Sequence, residues 1–287
     1  MPLQTYYPTM QELLWAIRFL TVIPLGSGKG GVTPPLPPER MGRVMVFYPL
    51  AGLIIGLCLI LVYYPLAVGL PSALADTLII LFYVFLTGGL HVDGLADSMD
   101  GLLGGWDRQS RLDIMRDSCI GSFGTIGIVG DMGLRFVFLQ DLPDFLPDVS
   151  LWSPLTMSMD YTSDTVAGLH KEVLKSGVVL LTMVVVGRWA QTIAASIAPY
   201  AREGLGTASG LVAHTGARHC LAASVLPLFL VGTFYGTRGM VMLAVVCAAV
   251  LLLTSYTRSR IGGVTGDTLG MTNEVSELVF LFLFFVI

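Results

Sequence analysis

The sequence predicts an all-α fold, a polytopic integral membrane helical bundle of about seven spanning or half-spanning helices, with residues 1–287 forming one membrane-embedded domain. Hydrophobic residues make up 54% of the chain and charged residues 13%, whereas soluble domains carry about 25% charged residues. The positive mean hydropathy of +0.76 also indicates a membrane protein. The apolar residues also form runs that approach the roughly 20 residues of a crossing helix. These runs cover residues 42–64, 72–90, 119–139, 173–199, 219–236, 239–257 and 274–287.

The element before the first run is expected to lie at the membrane surface. Residues 11–23 have a helical pattern that contains Arg18. A charged residue inside a short apolar helix favours an interfacial or re-entrant helix over a crossing. The following segment, residues 26–38, is rich in glycine and proline and is predicted to be a loop.

Some of the later runs are short or carry charges. The last run, residues 274–287, spans about 21 Å at 1.5 Å per residue, so we expect it to penetrate part-way or to pack inside the protein. Asp131 and Arg135 are four residues apart in an apolar run and are predicted to form an internal ion pair. Arg188 is expected to face the bundle interior, as a structural residue or a phosphate contact.

The charges of the connections orient the bundle, because basic loops stay on the cytoplasmic side. Seven crossings put every basic connection on one side, so the protein is expected in the cytoplasmic membrane with that side facing the cytoplasm. The opposite connections are uncharged (65–71), acidic (140–172) or nearly absent (around Arg238). The basic residues are Lys29, Arg40, Arg43, Arg108, Arg111, Arg116, Arg202, Arg218, Arg258 and Arg260.

Three aspartates follow the second run directly, on the predicted cytoplasmic side. Asp93, Asp97 and Asp100 have the spacing i, i+4, i+7, which puts them within an arc of roughly 60° on a helix. Three like charges on one stripe repel each other. A bound Mg²⁺ would reverse that balance, because it prefers carboxylate oxygens and bridges readily to phosphate. The alternative is the solvated face of an amphipathic helix.

Other polar motifs fall in the connections of the same side. Gly104 and Gly105 are expected to end the aspartate helix, and Asp107 can cap the next one. The small residues 121–125 let a backbone approach a phosphate closely. Metal, arginines and a glycine-rich backbone together are what binding and cleaving a pyrophosphate requires. His91 is on the far side of the helix from the aspartates, so a packed and a catalytic histidine both remain open.

Residues 91–101, His-Val-Asp-Gly-Leu-Ala-Asp-Ser-Met-Asp-Gly, resemble the signature of the cobalamin synthase family, the adenosylcobinamide-GDP ribazoletransferases. Segments 114–124, 199–206 and 262–270 match further motifs in the same order, and the resemblance runs from about residue 12 to 277. It implies an integral membrane enzyme that requires Mg²⁺. The family joins adenosylcobinamide-GDP to α-ribazole, or its 5′-phosphate, and releases GMP.

We therefore expect the following roles. Mg²⁺ would be held by Asp93, Asp97 and Asp100, with Asp267 and Glu274 completing its shell, and Asp100 or His91 would take the hydroxyl proton. The alternative for Glu274, together with Glu277, is to complement a helix dipole. The expected substrate-binding residues are Arg116, Asp117, Ser118, Gly121, Gly124, Arg202, Arg260, Gly263, Thr265, Gly266 and Thr268.

Two other functions compete with this one. A membrane transferase of the CDP-alcohol phosphatidyltransferase kind also uses spaced aspartates, but with a different motif. A transporter would carry its charges at mid-membrane, whereas these motifs cluster in loops. The expected partners are the two small-molecule substrates and the lipid bilayer, without nucleic acid. The four cysteines are scattered and have no zinc-ligand spacing.

Overall fold

The computed structural model describes residues 9–24, 36–143, 164–203 and 208–287, with side chains in the third range described from Val173 onward. Residues 144–163 of the acidic connection and the Gly204-Leu205-Gly206 motif lie outside the described residues. Within the described ranges the chain is helical, with one isolated backbone bridge between Tyr200 and Val264. The helices are α1 (Met10–Leu20), α2 (Pro38–Val46), α3 (Tyr48–Gly69), α4 (Ser72–Leu86), α5 (Leu90–Gly104), α6 (Arg108–Ile114), α7 (Ser122–Gln140), α8 (Asp164–Ile197), α9 (Ser209–His214), α10 (Ala217–Ile261) and α11 (Gly266–Leu283).

The prediction of an all-α polytopic bundle is confirmed. Four helices are long and apolar enough to cross a membrane, namely α3, α7, α8 from Val173 onward, and α10. α4 and α5 pass the same test only as a pair bent by 85°. The bend falls at Gly88 and Gly89, whose φ angles of 61° and 70° lie in the left-handed region that favours glycine. α5 therefore leaves the direction of α4, and we do not treat it as a span.

α10 contains two of the predicted runs. Its 45 residues are interrupted at Gly236, where φ is 57° and the backbone is not helical. The interruption falls at the last residue of the predicted run 219–236, just before the run 239–257. Among the described residues the candidate spans number four, or five if the bent pair is one span, and the seven crossings and their sidedness stay predictions.

α8 forms the centre of the bundle. Its membrane-length part is completely enclosed by protein, whereas the apolar parts of α3, α7 and α10 are at most one-third buried. α3, α10 and α11 pack around it. Gly56 allows α3 to come close, because a Cβ atom there would lie 2.7 Å from the Cα atom of Leu181. In lipid there is little hydrophobic driving force between helices, so they associate through the close van der Waals packing that small residues allow.

α1 confirms the helix predicted before the first span, and an ion pair fastens it to α2. The Glu12 carboxylate is fully buried and accepts a hydrogen bond of 2.8 Å from Nε of Arg40. Burial alone would raise the pKa of Glu12, but the hydrogen bonds from Arg40 and Thr9 lower it to about 2. Glu12 therefore stays ionised, and its ion pair with Arg40 holds α1 against α2.

α11 begins earlier than the predicted last run and packs inside the protein. Thr265 caps it by accepting a hydrogen bond from the backbone nitrogen of Thr268. Because the helix starts at Gly266, Glu274 lies about two turns inside it. The interpretation that Glu274 and Glu277 complement the start of a helix is therefore wrong.

Candidate active site

The α5 aspartates lie beside the start of α11, where two glycines bring the helices together. A Cβ atom at Gly94 would lie 2.8 Å from the backbone oxygen of Asp267, and one at Gly270 would lie 3.2 Å from the Cα atom of Gly94. This close packing carries Asp267 to the helix that bears Asp93 and Asp97. The structure therefore gives Gly94 a packing role.

The carboxylates of this region repel each other. Burial raises the pKa of Asp97 to about 7, and the charges of Asp93 and Asp267 add to the increase. Burial also raises the pKa of Asp267, although Nη2 of Arg202 lies 2.6 Å from its carboxylate and opposes the shift. The region therefore holds more negative charge than its single close arginine neutralises, and it favours a cation.

Asp100 has a different environment from the other two α5 aspartates. Its two carboxylate oxygens accept hydrogen bonds from the backbone nitrogens of Gly121, at 2.7 Å, and Gly124, at 2.9 Å. A Cβ atom at either glycine would overlap the carboxylate. Asp100 therefore holds the beginning of α7, and the backbone donors that we expected at a phosphate are bonded to it.

This contact predicts that Gly124→Ala destabilises the protein. The added methyl group would separate the carboxylate from its donors, and hydrogen bonds to a charged group contribute about 1.5–3 kcal/mol. We expect a lower unfolding temperature in detergent for Gly124→Ala and for Asp100→Asn. Gly130→Ala in the same helix is the control, because nothing lies within 4 Å of its added atom. Equal unfolding temperatures for Gly124→Ala and Gly130→Ala would contradict the role.

The donor set fits a magnesium ion that is shared with a phosphate. Among the described residues, no three His, Cys, Asp or Glu side chains are grouped closely enough to hold a metal ion by themselves. Asp93 and Asp267 nevertheless line one cavity, and both act electrostatically on Asp97. Mg²⁺ in proteins is usually bound by one or two carboxylates, with substrate phosphates and water as its other ligands. The aspartates meet that requirement.

Glu274, which we expected to join the metal shell, is part of a buried ion cluster that consists of Asp131, Arg135, Arg188, Glu274 and Glu277. Nη2 of Arg135 lies 2.6 Å from Glu274 and 3.2 Å from Asp131, and its Nη1 lies 2.7 Å from Glu277. The predicted Asp131–Arg135 ion pair is thus confirmed. The Glu274 carboxylate binds Arg135 within this cluster, and its role as a metal ligand stays a prediction.

The buried ion cluster also contains the interior arginine of α8. Arg188 is fully buried, and its Nη1 lies 3.2 Å from Glu277 and also donates to Asn273. The Tyr83 hydroxyl donates to Glu277 at 2.6 Å. The prediction that Arg188 faces the interior is confirmed. The sequence reasoning missed Glu277 and Tyr83 as members of this cluster. An arginine in an apolar run needs a carboxylate partner, which is the signal for Glu277, whereas the neutral Tyr83 has no comparable signal.

Arginines form a recess next to the aspartates. Arg108, Arg116 and Arg202 line a cavity of about 210 Å³ together with Gln109 and Glu203. Arg108 also donates to the backbone oxygens of Ile261, at 2.8 Å, and Ala201, at 2.6 Å, which fastens α6 to two connections. We call this cavity the cationic recess. Arg202 belongs both to the cationic recess and, through its ion pair with Asp267, to the aspartate region.

The other expected substrate residues are distributed more widely. Arg260 is exposed and lies over the ring of Tyr256, at 5.5 Å. Asp117 accepts a hydrogen bond from the backbone of Cys119 in an exposed turn that also contains Ser118. Four other expected substrate residues have local roles. Gly263 packs on Pro199, and Thr265 and Thr268 cap α11. Gly266 lines the cavity that Asp93 and Asp267 also line.

His91 lies in the interior at that same cavity. The cavity has a volume of about 140 Å³, and its lining includes Phe19, Tyr48 and Leu211 besides Asp93 and Asp267. We call it the inner cavity. The His91 side chain lines it and is 2% exposed, and its Nδ1 atom has no hydrogen-bond partner among the described residues. The histidine is therefore both packed and open to a ligand.

Comparisons with known proteins agree with the motifs. A family model described as cobalamin-5-phosphate synthase matches residues 12–285. An adenosylcobinamide-GDP ribazoletransferase of Chlorobium phaeobacteroides is 34% identical over 274 residues, which cover 94% of this chain and 95% of the relative. The enzyme of the same name from Acetivibrio thermocellus is 28% identical, over 96% of this chain and 98% of the relative. No solved structure matches the chain.

Proposed function

The chain belongs to the cobalamin-5-phosphate synthase family and is an integral membrane transferase of cobalamin synthesis, and from this premise we propose that it joins adenosylcobinamide-GDP to α-ribazole, or its 5′-phosphate, with release of GMP. The observation that carries the proposal is the family match over residues 12–285, which includes both the aspartates and the cationic recess. A lipid transferase or a transporter would not account for that match.

The proposed reaction is a displacement at phosphorus. A ribose hydroxyl of the ribazole other than the 5′-hydroxyl, whose oxygen carries the phosphate in the alternative acceptor, attacks the phosphoryl group that is esterified to the cobinamide arm, and the bond to the GMP phosphate breaks. The hydroxyl loses its proton, and GMP leaves with the electron pair of the broken bond. Negative charge therefore grows on the phosphoryl oxygens and on the leaving phosphate. Arg202 and Arg116 in the cationic recess are suited to neutralise it.

Asp93, Asp97 and Asp267 are the residues that we propose to hold Mg²⁺ against the pyrophosphate. When bound, the ion supplies electrostatic stabilisation of the phosphate charge. Asp100 is a poor choice for the general base, because both of its oxygens already accept backbone hydrogen bonds. We assign Asp100 to positioning α7 beside the site.

We further propose that the site faces the cytoplasm. The cationic recess and the exposed Arg260 belong to the basic connections, and basic connections remain on the cytoplasmic side of membrane proteins. Water-soluble α-ribazole would then reach the site from the cytoplasm, while the membrane-embedded helices hold it at the bilayer.

The test is an assay of the purified protein in detergent with adenosylcobinamide-GDP, α-ribazole and Mg²⁺. We expect a corrinoid product and GMP in equal amounts, and no product when a chelator removes Mg²⁺. Arg202→Gln should weaken binding of the corrinoid nucleotide more than binding of ribazole. A lipid product, or transport of substrate across a vesicle membrane without GMP release, would contradict the proposal.

A further inference from the structure

The inner cavity has the features of a built binding site rather than a packing gap. Its walls include the aromatic side chains of Phe19 and Tyr48 and the apolar side chain of Leu211. Among the described residues, Nδ1 of the nearly fully buried His91 has no hydrogen-bond partner. A buried nitrogen without a partner is unfavourable, and native proteins usually satisfy such a group with water or a ligand.

The lining of the inner cavity combines two kinds of side chain. Asp93 and Asp267 contribute carboxylates, beside which we propose that the phosphates and Mg²⁺ bind, whereas most of the other lining side chains are aromatic or apolar. A ligand of this cavity should therefore have a flat, largely apolar ring with a hydrogen-bonding nitrogen and a group that reaches the phosphates. Both proposed substrates carry an aromatic base. Guanine, however, has several donors and acceptors that mostly apolar walls would leave unpaired, whereas the base of the acceptor has one free ring nitrogen.

We propose that the inner cavity binds the aromatic base of the acceptor, a benzimidazole-type ring, and that Nδ1 of His91 hydrogen-bonds the ring nitrogen that is not joined to ribose. This inference rests on the proposed function. The ribose and its attacking hydroxyl then lie beside Asp93 and Asp267, where the phosphorus is attacked.

The volume of the inner cavity supports the assignment. A cavity of roughly 150 Å³ with apolar walls is large enough to bind benzene, so about 140 Å³ accommodates a planar ring. A corrin macrocycle is far larger and must remain outside. The corrinoid nucleotide therefore meets the acceptor at the aspartates, with its phosphates on the side of the cationic recess.

The position of His91 also argues against it as the group that takes the hydroxyl proton, because its side chain is enclosed in the wall of the inner cavity. A neutral imidazole donates a hydrogen bond from one nitrogen and accepts at the other. It is thus well suited to recognise a ring nitrogen, and the aspartates remain nearer to the proposed site of the hydroxyl.

The test compares His91→Phe, which keeps a ring but removes both nitrogens, with His91→Asn, which keeps an amide group near the position of Nδ1. For each variant we would measure KM separately for α-ribazole and for adenosylcobinamide-GDP. We expect His91→Phe to raise the KM for α-ribazole roughly tenfold or more and to leave the corrinoid KM nearly unchanged. His91→Asn should recover most of the loss.

A binding measurement makes the test independent of turnover. The probe is 1-methylbenzimidazole, whose methyl group stands where ribose is attached. It should bind the parent protein and compete with α-ribazole, and its binding should be lost in His91→Phe and in Leu211→Phe, which fills the cavity. His214→Phe is the control, because His214 is a partly exposed residue outside the cavity.

The outcomes separate this inference from the proposed reaction. If the parent makes cobalamin and GMP but does not bind 1-methylbenzimidazole, the cavity assignment is overturned and the reaction stands. If the probe binds through His91 but no product forms, the assignment stands and the proposed reaction fails. A fall in kcat at unchanged acceptor KM, in both His91 variants, would make His91 a proton-transfer group. Equal increases in both KM values would make it a structural residue.

Discussion

Asp97→Asn is expected to abolish Mg²⁺-dependent GMP release and, in the same protein, to raise the stability of the metal-free form. The substitution removes a proposed Mg²⁺ ligand, and loss of that electrostatic stabilisation should lower kcat by at least about 100-fold. It also removes one of the carboxylates that repel each other between α5 and α11. The measurements are GMP release with Mg²⁺ and the unfolding temperature in a chelator.

The pH dependence sharpens this prediction. The pKa of Asp97 is raised from 3.8 to about 7 in the folded protein, so its ionisation opposes folding. The stability from this group is present at low pH and is lost as the pH rises through about 7. Without metal, the parent should therefore lose stability between pH 5 and pH 8 more than Asp97→Asn does, and Mg²⁺ should restore it only in the parent.

Asp113→Asn is the matched control for this experiment, since the Asp113 side chain is exposed on α6 and accepts a hydrogen bond of 2.9 Å from the side chain of Gln109. It should change neither GMP release nor the response to Mg²⁺. If Asp97→Asn retains Mg²⁺-dependent activity, the proposed role of the aspartates in metal binding is wrong. If it is less stable than the parent without metal at pH 8, the repulsion is not the dominant interaction there.

Arg135→Met is expected to prevent recovery of folded protein. Arg135 is 1% exposed and lies within ion-pair distance of Asp131, Glu274 and Glu277. Removing one partner of a buried ion pair typically costs about 3–5 kcal/mol, because the remaining charge is left uncompensated. That loss is comparable to the whole stability of many domains. The yield of monodisperse protein in detergent and its unfolding temperature are the measurements.

Two further variants decide whether charge is the cause. Arg135→Met combined with Glu274→Gln should be recovered in higher yield than Arg135→Met alone, because one buried carboxylate charge has been removed with the guanidinium. Arg260→Met removes an exposed arginine and should have little effect on yield. A double variant no better than Arg135→Met would show that side-chain packing, rather than charge, causes the loss.

The buried ion cluster and the candidate site are joined by α11. Asp267 and Glu274 are seven residues apart on this helix, which is about two turns. Arg135 of α7 and Arg188 of α8 hold the Glu274 and Glu277 end, while Gly94 of α5 packs beside Asp267. The cluster therefore sets how α11 lies against α5, and with it the position of Asp267 relative to Asp97.

Much of the fold could be predicted from the sequence because its evidence is local. Apolar runs predicted the membrane helices, and the spacing of Asp131 and Arg135 predicted their ion pair. Asp107 was predicted to cap α6, and its carboxylate accepts the hydrogen bond from Ser110 at 2.9 Å. These features depend on residues a few positions apart, whose relation is set by the helical repeat.

The sequence alone shows that Asp93, Asp97 and Asp100 concentrate negative charge on one face of a helix, which favours a bound cation. The repulsion between them follows from their spacing on that helix. Only the tertiary structure separated the three aspartates: Asp97 remains beside Asp93 and gains Asp267, whereas Asp100 binds the backbone of α7. The tertiary structure also shows that the Glu274 carboxylate binds Arg135 and that the His91 side chain lines the inner cavity. These assignments depend on contacts between helices far apart in the chain, and helical periodicity carries no information about which distant face will pack against which.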